Sequence, residues 1–449
     1  MRALLISTYD LGRQPLGLAW PAAALRAGGI EVRCVDTSRQ PLRDEDAAWA
    51  DLVAFYLPMH TATRLAAPLI DRLRTANPAA RLAAYGLYAP LNAAWLHAKG
   101  VAHVLGPDAD EALVKLARDA MVDVAGPAGG RTPARAGRPD RSGLPPLSAY
   151  AAVQMADGST RVAGSTEATR GCKHLCRHCP IVPVYRGRFH AVPLDAVMDD
   201  VRAQVAAGAE HITFSDPDFF NGPTHARRLV ERLRQELPSV TYDVTIKIEH
   251  LVRHADLLPL LRDTGCLFVT SAVESIDDRV LERLRKGHTR ADVEQAVLLC
   301  RRAGLTLTPT FVPFTPWTTA AGYLELLNAI ETLDLVWHVA PIQLAIRLLV
   351  TAGSSLLDLD DITACVGPFE PESLTFPWRS SDAAVDALQQ DVMRLAGTPG
   401  TRGEVFDAIA ARASAAAGFA WTPGSGRSSA RVPALTEAWY CCAEPLPAI

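Results

Sequence analysis

The sequence predicts an α/β protein: a doubly wound parallel sheet, then a partial (β/α)6 barrel, then a small, mostly helical carboxyl-terminal region. Three observations carry this. Short apolar runs alternate with stretches of helical period through residues 1–122; a Pro/Gly/Arg-rich break follows at 125–146; and the alternation resumes with longer intervals from residue 166. Apolar runs buried on both faces and joined by helices make parallel sheets. A chain of 449 residues also exceeds one ordinary core, so several units are expected. They are a doubly wound domain over 1–124, a linker over 125–165, a barrel over 166–355 and a terminal region over 356–449.

In the first unit the expected strands are "ALLIST" (3–8), "VRCVDT" (32–37), "DLVAFYL" (51–57), "ARLAAYG" (80–86) and "VAHVLG" (101–106). Between them, "HTATRLAAPLIDRLRTA" (60–76) spaces its apolar residues by three and four, which predicts a helix. Ligands in such sheets bind beyond the carboxyl ends of the strands, so the tips to watch are 8–12, 57–60, 86–88 and 106–108. The segment "AGPAGGRTPARAGRPDRSGLPP" (125–146) reads as a connector whose four arginines are solvated.

The barrel strands are expected at "TEATR" (166–170), "HITFSD" (211–216), "YDVTIKIE" (242–249), "CLFVTSAVE" (266–274), "LTLTPTFVP" (305–313) and "APIQLAIRL" (340–348). Helical patterns at 194–208 and 290–304 fill two of the gaps, and 382–397 and 402–418 are helices of the last region. Six strand–helix units suit a partial parallel barrel. In the last strand Ile342, Leu344, Ile346 and Leu348 share one face, and Gln343, Ala345 and Arg347 the other. In "VTIKIE", Ile246 and Ile248 oppose Thr245, Lys247 and Glu249. A period of two puts the apolar face under the helices and the polar face into the lumen. Lys247, Glu249 and Arg347 then face a bound ligand, or pair with one another.

Composition excludes several classes. Hydrophobic residues are 49% of the chain and the net charge is −4, which suits a packed protein and leaves no electrostatic footprint for nucleic acid. No run of eighteen apolar residues is present, so no membrane partner is expected, and "MRALLIST" lacks the features of a secretory signal. The nine cysteines are an odd number in a signal-free chain, which points to a reducing cytoplasm. Cys34, Cys266, Cys300 and Cys365 stand singly among apolar neighbours and read as small buried hydrophobes.

The other five cysteines form two clusters. "GCKHLCRHCP" (171–180) spaces three as Cys172-x3-Cys176-x2-Cys179. A structural zinc site wants four ligands, and His174 or His178 could complete one. Three thiolates on one loop also suit three irons of a four-iron cluster, leaving the fourth iron open. The spacing, its place after "TEATR" and the units that follow resemble the radical S-adenosylmethionine (SAM) superfamily. That resemblance implies a [4Fe-4S] cluster held by Cys172, Cys176 and Cys179, with SAM on the open iron. An electron then cleaves SAM to methionine and a 5′-deoxyadenosyl radical.

Further site residues follow from the same resemblance. His178 supplies a flat ring near the adenine. "FSDPDFFNG" places Asp216 first and Asp218 second as the carboxylate for the SAM ammonium, although either could instead cap a turn before Pro217. In "SAVES", Glu274 lies near the ribose, and "PTFVPF" after residue 308 gives apolar contacts to adenine.

The first unit, through "LGLAWPAAALRAGGIEVRCVD", resembles the flavodoxin-like, cobalamin-binding domain of cobalamin-dependent members, which implies cobalamin as a further cofactor and methyl transfer or related chemistry. The Asp-x-His-x-x-Gly motif of other cobalamin proteins is absent, since the first strand runs into "STYDLG". A radical SAM enzyme without cobalamin, doing dehydrogenation, cleavage or rearrangement, is the alternative, and a zinc-binding or redox-sensing protein a more distant one. The ending "EAWYCCAEPLPAI" resembles the CUAEP/CCAEP-tail group, so Cys441 and Cys442 are expected as redox or radical-quenching residues. The expected partners are a small-molecule or peptide substrate and an electron donor such as flavodoxin or ferredoxin.

Overall fold

A computed structural model describes residues 1–118, 137–421 and 430–437. The first sheet holds β1 (Arg2–Ser7), β2 (Glu31–Asp36), β3 (Leu52–Tyr56), β4 (Arg81–Tyr85) and β5 (His103–Val104), all parallel in the order β2-β1-β3-β4-β5. Its strands are apolar at consecutive positions because both faces are covered. Leu4, Ile6, Val53 and Phe55 pack to one side, and Ala3, Leu5, Leu52 and Ala54 to the other. The strand order reverses between β1 and β3, which opens a crevice beyond their carboxyl ends. The helix His60–Ala76 has the limits its periodicity predicts.

The second sheet is built from β6 (Ala152–Gln154), β7 (Thr160–Thr166), β10 (His211–Phe214), β11 (Thr241–Thr245), β12 (Cys266–Glu274), β13 (Thr306–Phe311) and β14 (Ala434–Leu435), while β8 (Thr169–Gly171) and β9 (Phe189–Ala191) form a separate antiparallel ribbon. The order is β13-β12-β11-β10-β7-β6-β14. The five strands from β7 to β13 are parallel and curl into a half-barrel, and β6 and β14 add an antiparallel edge. Helices Leu194–Ala206, Pro223–Glu236, Arg290–Ala303, Ala320–Thr332, Ala383–Ala396 and Arg402–Ala417 cover the outer face and close one large apolar core. No helix among the described residues is long and apolar enough to cross a membrane.

Four sequence expectations are corrected here. First, "TEATR" is not the opening barrel strand: β7 ends at Thr166, and residues 169–171 pair antiparallel with β9 instead. Second, "YDVTIKIE" stops being a strand at Thr245, and a helix starts at Ile248, so Lys247 sits on a turn.

Third, "APIQLAIRL" is a single turn of 3-10 helix, Pro341–Leu344, and its only pairing is a lone bridge from Arg347 to Phe314. Leu344, Ala345, Ile346, Leu348, Leu349 and Val350 are all buried, so the segment is enclosed on every side and alternation has no meaning there. Arg347 accordingly does not face the lumen. Its Nη1 lies 2.7 Å from Asp386 Oδ1, and its guanidinium stacks 3.5 Å from the Trp378 ring centroid, within the carboxyl-terminal region.

Fourth, the arginines of the connector are not all solvated. Arg141 donates to both oxygens of Asp200 at 3.0 and 2.9 Å, to Gln14 at 2.8 Å and to the Ser165 carbonyl at 2.7 Å. Asp200 is 1% exposed. A buried carboxylate needs a paired, multiply bonded cation, and Arg141 meets that need while joining the first unit to the barrel. Residues 119–124 of the first unit, 125–136 of the connector, 422–429, and Cys441 and Cys442 with the rest of 438–449, lie outside the described residues. Cys34, Cys266 and Cys300 are buried as expected, while Cys365 is half-buried.

Candidate active site

The three cysteines lie on the loop that leaves β8. Gly171 opens it with φ +76°, and a side chain there would collide with the Arg188 carbonyl, so only glycine fits. Asn221 anchors the loop from both ends of its amide, to the Gly171 carbonyl and the Lys173 amide, each at 3.3 Å. The Arg177 amide donates to the Leu284 carbonyl at 3.0 Å, and Ser354 Oγ donates to the Arg177 carbonyl at 3.1 Å. The loop is therefore tied to three other parts of the barrel. Cys172 and Cys176 are buried and Cys179 half-buried.

Around the loop the structure gathers ionisable groups in two knots. In the first, Lys247 Nζ lies 3.7 Å from Cys176 Sγ and donates to the Lys286 carbonyl at 2.8 Å. His174 faces Asp218 at 3.3 Å and Glu249 at 3.5 Å, and His250 Nδ1 approaches Asp218 Oδ2 to 2.6 Å. Ligand atoms of Cys172, His174 and Asp218 all lie within 4.8 Å of one another. His174 Nε2, Asp218 Oδ2 and both His250 nitrogens are buried without an aligned hydrogen bond. Burial alone would raise the Asp218 carboxyl, but His174 and His250 hold it below the usual carboxylate range.

The second knot is Glu274 with His178 and Lys286. Glu274 ends β12 at φ +69°, where the pairing with β13 slips by a residue. Its Oε1 lies 3.2 Å from His178 Nε2 and 3.3 Å from Lys286 Nζ. Burial pushes this carboxyl up, yet Lys286 and His178 outweigh it and hold it down at about 2. Burial raises the Cys172 thiol to about 11. A bare buried thiol stays neutral, and a bound cation is what would favour the thiolate. Three thiols on one clamped loop, with orphaned polar atoms beside them, fit an iron–sulfur cluster and a polar ligand.

Lys247, Glu249, Asp218, His178 and Glu274 are therefore all brought to the cysteine loop, and Arg347 is not. Asp216 is also corrected. It is fully buried, accepts from the Ala168 amide at 2.8 Å and Thr169 Oγ1 at 2.6 Å, and burial pushes its carboxyl up to about 7. Both oxygens fasten the turn between β7 and β8, and the side chain is wholly enclosed there rather than open to the mouth. His250 and Lys286 went unnoticed in the sequence. The signals were small: "IKIEH" puts a histidine one helical step past Glu249, and "RKGHT" puts a lysine at a turn after the fourth barrel strand.

The rim of the first sheet meets this mouth. Arg170, two residues before Cys172, pairs with Asp108 at 2.7 Å and with Glu167. Tyr9, beyond β1, donates to Glu437 at 2.7 Å.

The α/β half-barrel thus carries three cysteines on one clamped loop at its mouth. The sequence profile of the Radical SAM superfamily matches residues 166–324, and this segment is a radical SAM domain. Among curated proteins, the ribosomal protein uS12 methylthiotransferase RimO of Parabacteroides distasonis is 29% identical over 36% of this chain and 39% of its own. A tRNA-2-methylthio-N(6)-dimethylallyladenosine synthase of Chlorobium phaeovibrioides is 31% identical over 32% of this chain and 34% of its own. The chain thus spans about two-fifths or less of the length of these relatives. Among solved structures, the cobalamin-dependent SAM radical enzyme OxsB matches 92% of this chain and 71% of its own, with TM-score 0.70 and 12% identity. The radical SAM methyltransferase TsrM of Kitasatospora setae matches 74% of this chain and 71% of its own, with TM-score 0.59 and 20% identity. At these identities the likeness concerns the fold.

Proposed function

We propose that the protein is a radical SAM enzyme in which Cys172, Cys176 and Cys179 hold a [4Fe-4S] cluster, and that the first domain holds cobalamin for methyl transfer or related radical chemistry on a small-molecule or peptide substrate. The observation that carries the reading is the clamped loop itself, with two buried thiols and a lysine ammonium 3.7 Å from one sulfur. When bound, the cluster supplies the electron that cleaves SAM and so starts hydrogen abstraction. Lys247 offsets negative charge at the thiolates. Glu274, kept ionised by Lys286 and His178, accepts hydrogen bonds from ribose hydroxyls, and Asp218 and Glu249 are the carboxylates near enough to the loop to receive an ammonium.

The cobalamin reading rests on the first sheet's order and on its tips facing the barrel mouth across Arg170 and Asp108. Residues 8–12 contain no histidine, and His60 Nε2 lies 2.7 Å from the Ser373 carbonyl, with Nδ1 buried and without a partner. Cobalamin is held here chiefly by backbone and hydroxyl contacts. For Cys441 and Cys442 we retain a redox or radical-quenching role, supported by Glu437 docking on Tyr9 only four residues upstream. A second reading, a single zinc ion, is favoured by the convergence of Cys172, His174 and Asp218.

The test is cofactor analysis of protein purified without oxygen in the presence of cobalamin. About four irons and four sulfides per chain, corrinoid absorbance, and release of 5′-deoxyadenosine or S-adenosylhomocysteine on reduction are expected. One zinc and no iron would overturn the reading, and iron without corrinoid would remove its cobalamin half.

A further inference from the structure

We propose that the lumen of the half-barrel binds a neutral, hydroxyl-rich small molecule, a sugar or a nucleoside, on a rung of three threonines. This rests on the reading above in one respect, that the bound molecule is the one the radical attacks.

The rung follows from strand pairing. Val244 and Ile246 on β11, Val269 and Val273 on β12, and Leu307 and Phe311 on β13 pack into the outer core under the helices. Successive side chains of a strand point to opposite faces, so Thr245, Thr270 and Thr308 face the lumen. The register sets them side by side, Thr245 against Thr270 and Thr270 against Thr308. Neighbouring strands lie about 4.8 Å apart, so the three hydroxyls make a row roughly 10 Å long. Ala272 and Thr310 form the next level toward the mouth.

The fold does not use these hydroxyls. Those of Thr245, Thr270, Thr308 and Thr310 bond to no described residue, and Thr308 Oγ1 is itself buried. Thr245, Thr270 and Thr310 are 7%, 7% and 5% exposed. Buried hydroxyls ordinarily find a partner. Thr63 donates to the Met59 carbonyl at 2.9 Å, and Thr264 to the Leu260 carbonyl at 2.7 Å. Thr166 and Thr351 are buried without such a bond too, but as single positions, one ending β7 and the other beyond the barrel strands. In this wall three stand in register.

The neighbouring levels limit what fits. Below, Asp243 Oδ1 takes His211 Nε2 at 2.9 Å and Thr213 Oγ1 at 2.6 Å, and Phe268 stacks on His211 with ring centroids 6.1 Å apart. That floor is satisfied within itself. Above, Thr245 stands two residues before Lys247, whose Nζ lies 3.7 Å from Cys176 Sγ, so the rung lies next below the cysteine loop. The rung carries no charge, and an ionic ligand would meet no counter-charge at its level. An apolar ligand would strand all three hydroxyls, which is costly. A hydroxyl both donates and accepts, and the hydroxyls of a sugar ring do the same at close intervals.

The experiment uses the full chain, reconstituted without oxygen with iron, sulfide and SAM. Saturation-transfer NMR reads four probes: methyl α-D-glucopyranoside, uridine, indole and tetra-alanine. The glucoside or uridine is expected to bind, and the two arms tell a sugar from a nucleoside. In the triple variant Thr245→Val, Thr270→Val and Thr308→Val, which keeps the branched shape, Kd should rise about tenfold or more. Thr245→Ser, which keeps the hydroxyl, should bind as the wild type does. Iron content and the urea midpoint of the apoprotein should hold in both variants. Binding of neither the glucoside nor uridine overturns the proposal. So does a Kd that the triple variant leaves unmoved, or tighter binding of indole or tetra-alanine than of either. A urea midpoint that falls in the triple variant also overturns it, since the hydroxyls would then serve the fold. Wild-type protein that binds the probe but holds no iron and releases no 5′-deoxyadenosine would instead sink the functional reading, so the two failures are separable.

Discussion

The first sheet and the parallel strands of the half-barrel both end in a rim at the same crevice, but the rims differ in chemistry. The barrel rim buries charge: Cys172, Cys176, Lys247, Glu274 and Lys286 are each less than a tenth exposed. The first-sheet rim carries fewer such groups, Asp36 and Asp108 among them, and more backbone and hydroxyl. There Thr8 Oγ1 donates to the Ala62 carbonyl at 2.7 Å, and Tyr85 donates to the Gly17 carbonyl at 2.8 Å. Buried charge is costly unless compensated inside the site or by a ligand. The barrel rim therefore stands out by the identity of its side chains. The other rim offers mainly shape, main-chain groups and a few scattered ionisable side chains, which is the weaker kind of signal.

The strongest way to break this contrast is to remove a thiol. Cys176→Ala takes away one of three loop ligands and leaves the Lys247 ammonium buried beside a methyl group. Iron content is expected to fall from about four per chain to near zero, and SAM cleavage by at least a thousandfold. Corrinoid content should change little. Loss of corrinoid together with iron would mean that the rims are one site rather than two.

Next in size is the ion pair at Glu274. Lys286→Met leaves a buried carboxylate without its main counter-charge, which costs about 3–5 kcal/mol, read by urea unfolding of the apoprotein. The pH dependence sharpens the point. Glu274 sits at about 2 in the folded protein, below its unfolded value near ~4.3. Its contribution, roughly 3 kcal/mol, is therefore present above that unfolded value and lost as pH falls from about 4 toward 2. In the Lys286→Met protein burial dominates, the carboxyl rises, and that acid-side loss should disappear.

The same contrast explains what could be read from sequence. Strands buried on both faces announce themselves by composition, so β1 to β4 and β12 fall within a residue or so of expectation. The cysteine loop was legible because its ligands are adjacent in the chain. Groups that meet only after folding were harder. Asp216 and Asp218 look alike in "FSDPDFF", and only tertiary contacts separate them: one faces Thr169 and the other His250. Arg347 seemed lumenal because its segment alternates, but packing from all sides removed the strand that the alternation presumed. Arg141 stood in a Pro/Gly-rich stretch, and nothing local revealed the buried Asp200 waiting for it 59 residues away. Lys286 is silent in sequence for the same reason, since Lys247 and Glu274 reach it only once the half-barrel has formed.

The smallest predicted effect tests the quieter rim. Gly86, just beyond β4, has φ +111°, and a Cβ there would lie 2.7 Å from the Leu57 carbonyl oxygen and 2.9 Å from its carbon. Both atoms are backbone, so neither can swing aside, and Gly86→Ala should cost about 2 kcal/mol. Gly29→Ala is the control: φ is +78° but nothing lies within 4 Å, so only conformational cost remains, about 1 kcal/mol. The difference isolates the close approach of the 57–60 and 86–88 tips, which is the feature a backbone-built site depends on. Corrinoid affinity should fall in Gly86→Ala and hold in Gly29→Ala, with iron content equal in both. Equal corrinoid affinity in the two variants would place any cobalamin contact away from these tips and leave the barrel rim as the sole centre of chemistry.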